Sequence, residues 1–362
     1  MKGSRSIASR SIAPLTGCIL SLTPLHKHST ADGVVSVLAV KLIAGIALVL
    51  GIVAGAIVPD LSAKQLLAAN RPQTEHPVRV SAEFQSEVAQ LTAGGLKLKE
   101  ALEASLEGSA HHLAAIFQRD NPKAPNEALE FRIIESDGQT AKTIFKRADF
   151  FFSFDLAGEA NKLNGTDING DGLKEIIVQS SSGGNCWSCN PTEIYQLRNH
   201  KVELIAAAPI QKIADLNADG VKELIVTDAR WESYDDLSHA ASPGAVMIYA
   251  WRNGKYVYSS RDFEAFYKNE IDRLRASIDE ARSQITSDEY SDESYVGLAV
   301  GLAITYAHAG KLEQGFRELE SLMNSNAKSA AQSKHRAVIV DDFRKGDSSK
   351  KLREMKYGDP IM

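Results

Sequence analysis

A twelve-residue acidic segment occurs twice in the chain and constrains the fold more than any other feature. Asp167-Ile-Asn-Gly-Asp-Gly-Leu-Lys-Glu-Ile-Ile-Val178 returns as Asp215-Leu-Asn-Ala-Asp-Gly-Val-Lys-Glu-Leu-Ile-Val226. The second copy begins 48 residues after the first, and eight of the twelve positions are identical. A period near about 50 residues is the size of one propeller blade or a comparable sheet unit. The repeat therefore predicts at least two similar sheet units, each with one acidic loop.

The positions that are identical include those that a hard cation needs. Asp, Asn and Asp at positions one, three and five direct oxygens at one centre, glycine at position six takes the tight turn, and the carbonyl at position seven adds an oxygen. A glutamate at position nine completes the set. All donors are oxygen, which favours Ca²⁺. The predicted ligands are Asp167, Asn169, Asp171, Leu173 and Glu175 in the first loop, and Asp215, Asn217, Asp219, Val221 and Glu223 in the second.

The loops have two other interpretations. The first is an EF-hand, which needs a glutamate at position twelve, where this chain has Val178 or Val226. An EF-hand also needs flanking helices, whereas the Ile/Leu/Val run here indicates a strand. The simpler alternative is a pair of solvated Asp/Asn/Gly turns that bind no metal.

A calcium loop that precedes a strand and closes with an acid at position nine resembles the FG-GAP/VCBS repeats. The resemblance covers about residues 160–260 and implies calcium binding, a β-propeller fold and export from the cell. A closed propeller needs at least about four blades, and the strand-like runs here account for about three. We therefore expect a β-rich fold of propeller-like antiparallel sheet repeats in an incomplete ring, followed by an α-helical C-terminal domain.

Strand and helix patterns divide the chain into five parts. We predict an export segment at 1–60, a linker and partly helical lead-in at 61–127, the β-repeat domain with both calcium loops at 128–260, a helical domain at 261–345 and a polar tail at 346–362. The Ala/Leu/Glu-rich stretch up to Phe117 gives the lead-in its helical character. Asp137-Gly138 marks a hairpin turn between two strand-like runs. From Phe263 onward apolar residues recur at helical spacing.

One helical hairpin of the C-terminal domain resembles a tetratricopeptide (TPR) repeat. Its characteristic spacing is carried by Leu302, Tyr306, Gly310, Leu319 and Leu322, while Gly315 takes the place of the usual alanine. A second copy is not visible, and such repeats normally need neighbours to bury their faces. We expect a hairpin that packs on the long helix before it.

An apolar run near the N-terminus predicts export. The 17 residues from Leu42 to Val58 carry no charge, and Lys2, Arg5, Arg10, Lys27 and Lys41 all precede them. This positive bias places the N-terminus in the cytoplasm and everything after Pro59 outside, in a periplasmic or extracellular location. The run is either a retained transmembrane anchor or a signal peptide cut after Ala54-Gly55-Ala56. If translation starts near Val40, the signal peptide would have an ordinary length.

A cysteine pair and a histidine-bearing loop offer other chemistry. In an exported protein Cys186 and Cys189 are most simply a disulfide that staples their loop. The loop around His239 follows the equivalent strand of the second repeat, so we expect the two loops at one sheet edge. There Trp187, Trp231, Tyr234 and His239 would either form a binding surface or simply pack the two loops onto each other. The alternative function for the protein is that of an enzyme, either an envelope hydrolase or a thiol redox enzyme that uses these two loops. A hydrolase would use Ser238, His239 and Asp228, but a nucleophile elbow is not present.

These observations favour a protein that is not an enzyme. A net charge of −5 argues against nucleic acid as a partner, because no basic surplus is available for phosphates. The sequence predicts a calcium-binding structural or protein-interaction module. Its partner is an unknown protein or envelope ligand, and it contacts the membrane through the N-terminal helix if that helix is not cleaved.

The topology can be tested with a reporter. Alkaline phosphatase fused after Pro59 should be active, because the positive residues before the apolar run retain the N-terminus in the cytoplasm and send the remainder across the membrane. A matched fusion before Lys41 should be inactive. An inactive enzyme in the first fusion would refute export.

Overall fold

A computed structural model describes residues 78–124, 127–155 and 162–361, and gives no description of the side chains of Glu289 and Tyr290. The apolar run 42–58 and the sites of the alternative start and cleavage lie outside these residues. Within them, no helix has both the length and the apolarity needed to cross a bilayer.

Twelve strands within the described residues form three four-stranded antiparallel sheets, and the strands of each sheet follow one another in chain order. Sheet 1 consists of β1 (Leu96–Ala104), β2 (His111–Arg119), β3 (Leu129–Ser136) and β4 (Ala141–Asp149). Sheet 2 consists of β5 (Phe151–Ser153), β6 (Glu175–Ser181), β7 (Thr192–Arg198) and β8 (Lys201–Ala208). Sheet 3 consists of β9 (Ile210–Ala214), β10 (Glu223–Thr227), β11 (Val246–Arg252) and β12 (Lys255–Tyr258).

Alternate side chains of β6 enter two different cores. Ile176 and Val178 pack with Phe131 of sheet 1, whereas Ile177 packs with Leu224 of sheet 3. Because successive side chains of a strand point to opposite faces, both faces of sheet 2 are covered by another sheet. This two-sided burial explains why the run after the acidic loop is continuously apolar.

Six α-helices within the described residues flank the sheets. Helix α1 (Ala82–Ala93) places Phe84 against sheet 1. The others follow sheet 3 and are α2 (Glu264–Gln284), α3 (Glu293–His308), α4 (Leu312–Met323), α5 (Ala330–Lys345) and α6 (Asp347–Arg353). The predicted fold class is confirmed to this extent: antiparallel sheets precede a helical C-terminal region, and the described strands do not close into a barrel.

The expected start of the β region is wrong. The Ala/Leu/Glu-rich stretch to Phe117 is helical only in α1 and then forms β1 and β2, so the first sheet begins at Leu96 rather than near residue 128. Burial on alternate sides overrides composition here, since Leu113 packs toward α1 while Ile116 packs toward sheet 2. The polar tail contains α6 and a β-bridge from Pro360 to Val257 of β12.

The TPR-like hairpin forms from α3 and α4, which meet at a glycine. A Cβ at Gly315 would lie 2.6 Å from the carbonyl oxygen of Ala303 and 2.9 Å from Cβ of Tyr306. Real Cβ atoms do not approach so closely, so only glycine permits this crossing. The glycine that replaces the family's usual alanine therefore has a packing reason.

Alanine at two helical glycines should change stability in opposite directions. We expect Gly315→Ala to lower the free energy of unfolding by about 1–2 kcal/mol, because the forced backbone shift outweighs the roughly 1 kcal/mol gain in helix propensity. The matched control is Gly301→Ala on α3, whose added Cβ would lie 3.8 Å from its nearest neighbours, so it should be neutral or stabilising by up to about 1 kcal/mol. Urea unfolding measures both. Equal effects of the two variants would contradict the packing explanation.

Candidate metal centre

The two acidic loops occupy equivalent places in sheets 2 and 3. Each loop leads into the second strand of its sheet, β6 or β10, and ends with the glutamate that begins that strand. The connection between β1 and β2 in sheet 1 lacks the motif. One 48-residue repeat therefore corresponds to one four-stranded sheet, and the period is the length of chain from one sheet to the same point in the next.

The first loop brings three carboxylates together. One oxygen each from Asp167, Asp171 and Glu175 lies within 4.8 Å of the other two. Backbone N–H groups hold the aspartates, since Gly170 and Gly172 donate to the two Oδ atoms of Asp167 (2.7 and 2.8 Å). Both glycines have positive φ, 75° and 86°, which the tight turn requires. The arrangement can hold a cation of the size of Ca²⁺.

Glu175 is the buried member of this group. Its carboxylate accepts hydrogen bonds from the Ile168 N–H (2.8 Å) and from the Asn169 side-chain amide (3.0 Å). Burial, with the neighbouring charges of Asp167 and Asp171, raises the pKa of Glu175 to about 8, although the Ile168 N–H acts in the opposite direction. A cation in the loop would relieve this repulsion.

Two residues of β7 also reach the first loop, and the sequence analysis missed them. Gln196 donates to Asp171 and to Glu175, each at 2.9 Å, and Arg198 donates to Asp171 at 2.7 Å. The pairing of Glu175 with Gln196 across β6 and β7 places them there. Only knowledge of this register would have identified them, because residues 196 and 198 lie on one face of β7.

The second loop shares the backbone framework of the first. Leu216 N–H donates to the buried Glu223 carboxylate at 2.8 Å, just as Ile168 does to Glu175. Gly220 N–H donates to Asp215 at 3.0 Å and Val221 N–H to Asp219 at 2.8 Å. In the first loop Leu173 N–H donates to Asp171 in the same way, at 3.0 Å.

The carboxylates of the two loops are nevertheless arranged differently. In the part of the chain that the structure describes, Asp215, Asp219 and Glu223 do not form a group like that of the first loop. The Asn217 amide donates to the exposed Asp219 at 2.8 Å, whereas the Asn169 amide donates to the buried Glu175. The structure therefore brings together the predicted carboxylates of the first loop but not those of the second.

The cysteine and histidine loops lie at the other end of the same strands and contact each other. The sulfurs of Cys186 and Cys189 are at disulfide distance. Between them, the Trp187 N–H donates to Glu232 at 2.9 Å, and Glu232 is 2.8 Å from His239 Nδ1. The rings of Trp187 and His239 lie 5.5 Å apart.

The predicted four-residue binding surface is divided. His239 is exposed and Trp187 is half-buried, but Trp231 is fully buried and stacks on Phe343 of α5 at 5.7 Å. Tyr234 also packs on Phe343 and donates to Asp342. Trp231 therefore belongs to the hydrophobic core, and the partly buried Tyr234 packs against that core.

The residues considered for a hydrolase are not assembled. His239 pairs with Glu232, while the buried Asp228 accepts from Arg230, from the Trp231 indole (2.9 Å) and from His308 (3.2 Å). Burial acts to raise the pKa of Asp228, but hydrogen bonds from Arg230 and His308 hold it well below its usual range. Asp228 therefore joins sheet 3 to α3.

No protein-family model matches the chain, and no curated protein matches it.

The raised pKa of Glu175 predicts how the metal-free protein responds to pH. Its folded-state pKa of about 8 exceeds the ordinary value of 4.5, so the stability gained from its proton is complete below about pH 4.5 and is lost as pH rises toward about 8. In chelator, wild type should lose stability between pH 5 and 8 relative to Glu175→Gln, which cannot ionise. Denaturant unfolding at several pH values measures this difference.

The control is Glu354→Gln, which removes an exposed carboxylate on the surface. The free energy of unfolding of that variant should change with pH in the same way as that of wild type. Parallel curves for Glu175→Gln and wild type would contradict the burial argument.

Proposed function

We propose that this chain is an exported calcium-binding β-repeat protein of the FG-GAP/VCBS kind, which acts as a structural or protein-interaction module. The observation that carries the proposal is the group of Asp167, Asp171 and Glu175 within 4.8 Å of one another. It lies in a loop whose sequence and backbone framework recur in the next sheet.

The chemistry of the donors supports calcium over other cations. Carboxylate, amide and carbonyl oxygens are the ligands of Ca²⁺, and a loop that supplies them from several positions suits its irregular coordination better than the strict octahedron of Mg²⁺. The group of three contains no thiol and no imidazole, which are the ligands preferred by zinc and copper. A cation bound in the loop would offset the mutual repulsion of these carboxylates.

The stacking of the sheets supports a structural role for the ion. Sheet 2 is covered on both faces, and the loops lie where β6 and β10 begin. A cation there fixes the entry of both strands into the core. We infer that the three sheets form part of a propeller-like ring and that calcium stiffens it.

The opposite end of these strands offers the interaction surface. Cys186 and Cys189 constrain one loop, and Glu232 ties it to the loop of His239. Trp187 and His239 are available there to a partner protein or envelope ligand, since a surface that pairs an aromatic side chain with polar groups is typical of a contact site.

Export accounts for the cysteines and for the calcium. Disulfides persist outside the cytoplasm, where calcium is plentiful, so a Kd of about 10⁻⁴ to 10⁻³ M would suffice. The apolar run 42–58 would serve as the anchor or the cleaved signal.

Calcium should stabilise the protein through both loops. At ten times its Kd each site contributes about 1.4 kcal/mol, because the ion binds only the folded form. We expect a melting temperature that rises when calcium is added to chelated protein, a smaller rise in Asp171→Ala or Asp219→Ala, and almost none in the double variant. Thermal melts of the full-length chain measure this.

The control is Asp279→Ala, which removes an exposed carboxylate from α2 and should leave the calcium shift intact. Equimolar magnesium should produce a smaller shift. An unchanged melting temperature in millimolar calcium would mean that the loops are only turns.

A further inference from the structure

The two acidic loops touch each other through their backbones. The Lys222 N–H, at position eight of the second loop, donates to the carbonyl of Ile168, at position two of the first, at 2.7 Å. The N–H of the same Ile168 donates to Glu175. One residue of the first loop thus contacts both its own buried ligand and the neighbouring loop.

The bond from Lys222 fixes a predicted ligand of the second loop. Its N–H belongs to the same peptide unit as the carbonyl of Val221, the oxygen expected at position seven. A trans peptide is planar, so its N–H and C=O point in opposite directions. Holding the N–H on Ile168 therefore sets the direction of the Val221 carbonyl, and a cation on that carbonyl would in turn strengthen the hydrogen bond.

A close packing contact reinforces this bond. A Cβ at Gly170, position four of the first loop, would lie 2.9 Å from Cγ2 of Val221. The second loop has Ala218 at its own position four with φ 63°, close to the 75° of Gly170. A side chain at this position is thus compatible with the turn, and the glycine in the first loop makes room for Val221.

A buried hydroxyl near both loops lacks a partner. Tyr256 of β12 is fully buried among Ile168, Leu224 and neighbouring apolar residues, and within the described residues its hydroxyl makes no hydrogen bond. Burial, followed by the charges of Glu175 and Glu223, raises the pKa of Tyr256. A buried hydroxyl without a partner is costly, and an oxygen brought in with a cation would satisfy it.

We propose that the two loops form one coupled calcium unit, in which binding at the first loop orients the ligands of the second and the Tyr256 hydroxyl bonds to an oxygen held by the bound ion. The inference rests on the proposed function. The first loop, whose carboxylates are already gathered, binds first, and its Ile168 holds the peptide that carries the Val221 carbonyl. Because coupling is reciprocal, an ion in the second loop tightens the first by the same factor.

Calorimetric titration of the full-length chain with calcium tests the coupling. Wild type gives two stepwise association constants, whereas Asp219→Ala and Asp171→Ala each give the constant of one loop alone. We expect the product of the wild-type constants to exceed the product of the single-loop constants by about 5- to 150-fold. Independent loops give a ratio of one.

Glycine variants test the route of the coupling. Gly170→Ala should drive Val221 away and bring the ratio toward one, and adding Val221→Ala, which removes Cγ2, should restore it. The matched control is Gly172→Ala, since that glycine also has positive φ but an added Cβ meets nothing within 4 Å. The control should weaken the first loop and leave the ratio unchanged.

Tyr256→Phe removes the hydroxyl and keeps the ring. It should lower calcium affinity about fivefold, the effect of one net hydrogen bond; unchanged affinity overturns the role of Tyr256. A ratio of one in wild type, with two ions bound, overturns the coupling alone. A wild-type chain that binds no calcium overturns the proposed function together with this inference.

Discussion

The arrangement of the β region depends on a carboxylate that is buried where a strand begins. Glu175 and Glu223 are 0% and 1% exposed, and each accepts the N–H of the residue at position two of its own loop. Burying a carboxylate is costly unless hydrogen bonds or a cation compensate. The acidic loop folds around the glutamate because its N–H groups are the donors nearest to that charge.

The stacking of sheets 2 and 3 brings the two acidic loops next to each other. Ile177 of β6 packs with Leu224 of β10, and this shared core brings the beginnings of both strands together. The hydrogen bond from Lys222 to Ile168 then joins the loops directly. At the far ends of the same strands, Glu232 joins the other pair of loops. Each end of sheets 2 and 3 is thus held by a contact between loops.

Much of the fold was predictable where one residue pattern had one physical meaning. The apolar runs after both loops, the hairpin at Asp137-Gly138 and the helical period from Phe263 all form the predicted elements. Strands β1 and β2 were not predicted, because an Ala/Leu/Glu-rich stretch favours a helix until sheet 2 and α1 cover its two faces. In the same way, no local signal shows that Trp231 turns inward to Phe343.

The candidate site was predictable by residue type and less so by geometry. The repeat predicted a set of ligands, but within the described residues the three carboxylates are gathered in the first loop and not in the second. The two loops also differ in their hydrogen bonds, since the Asn169 amide donates to Glu175 whereas the Asn217 amide donates to Asp219. Gln196 and Arg198 reach the first loop because of the register of β6 and β7. These contacts depend on neighbouring strands and loops, which the twelve-residue motif does not contain.

The central claim is that these loops bind calcium, and the most direct test is to count the ions. Equilibrium dialysis of the full-length chain against radioactive calcium, with magnesium present in excess, gives the number bound per chain. We expect two ions in wild type and none in the variant that carries both Asp171→Ala and Asp219→Ala. A wild-type chain that retains no calcium at millimolar free concentration would contradict the claim.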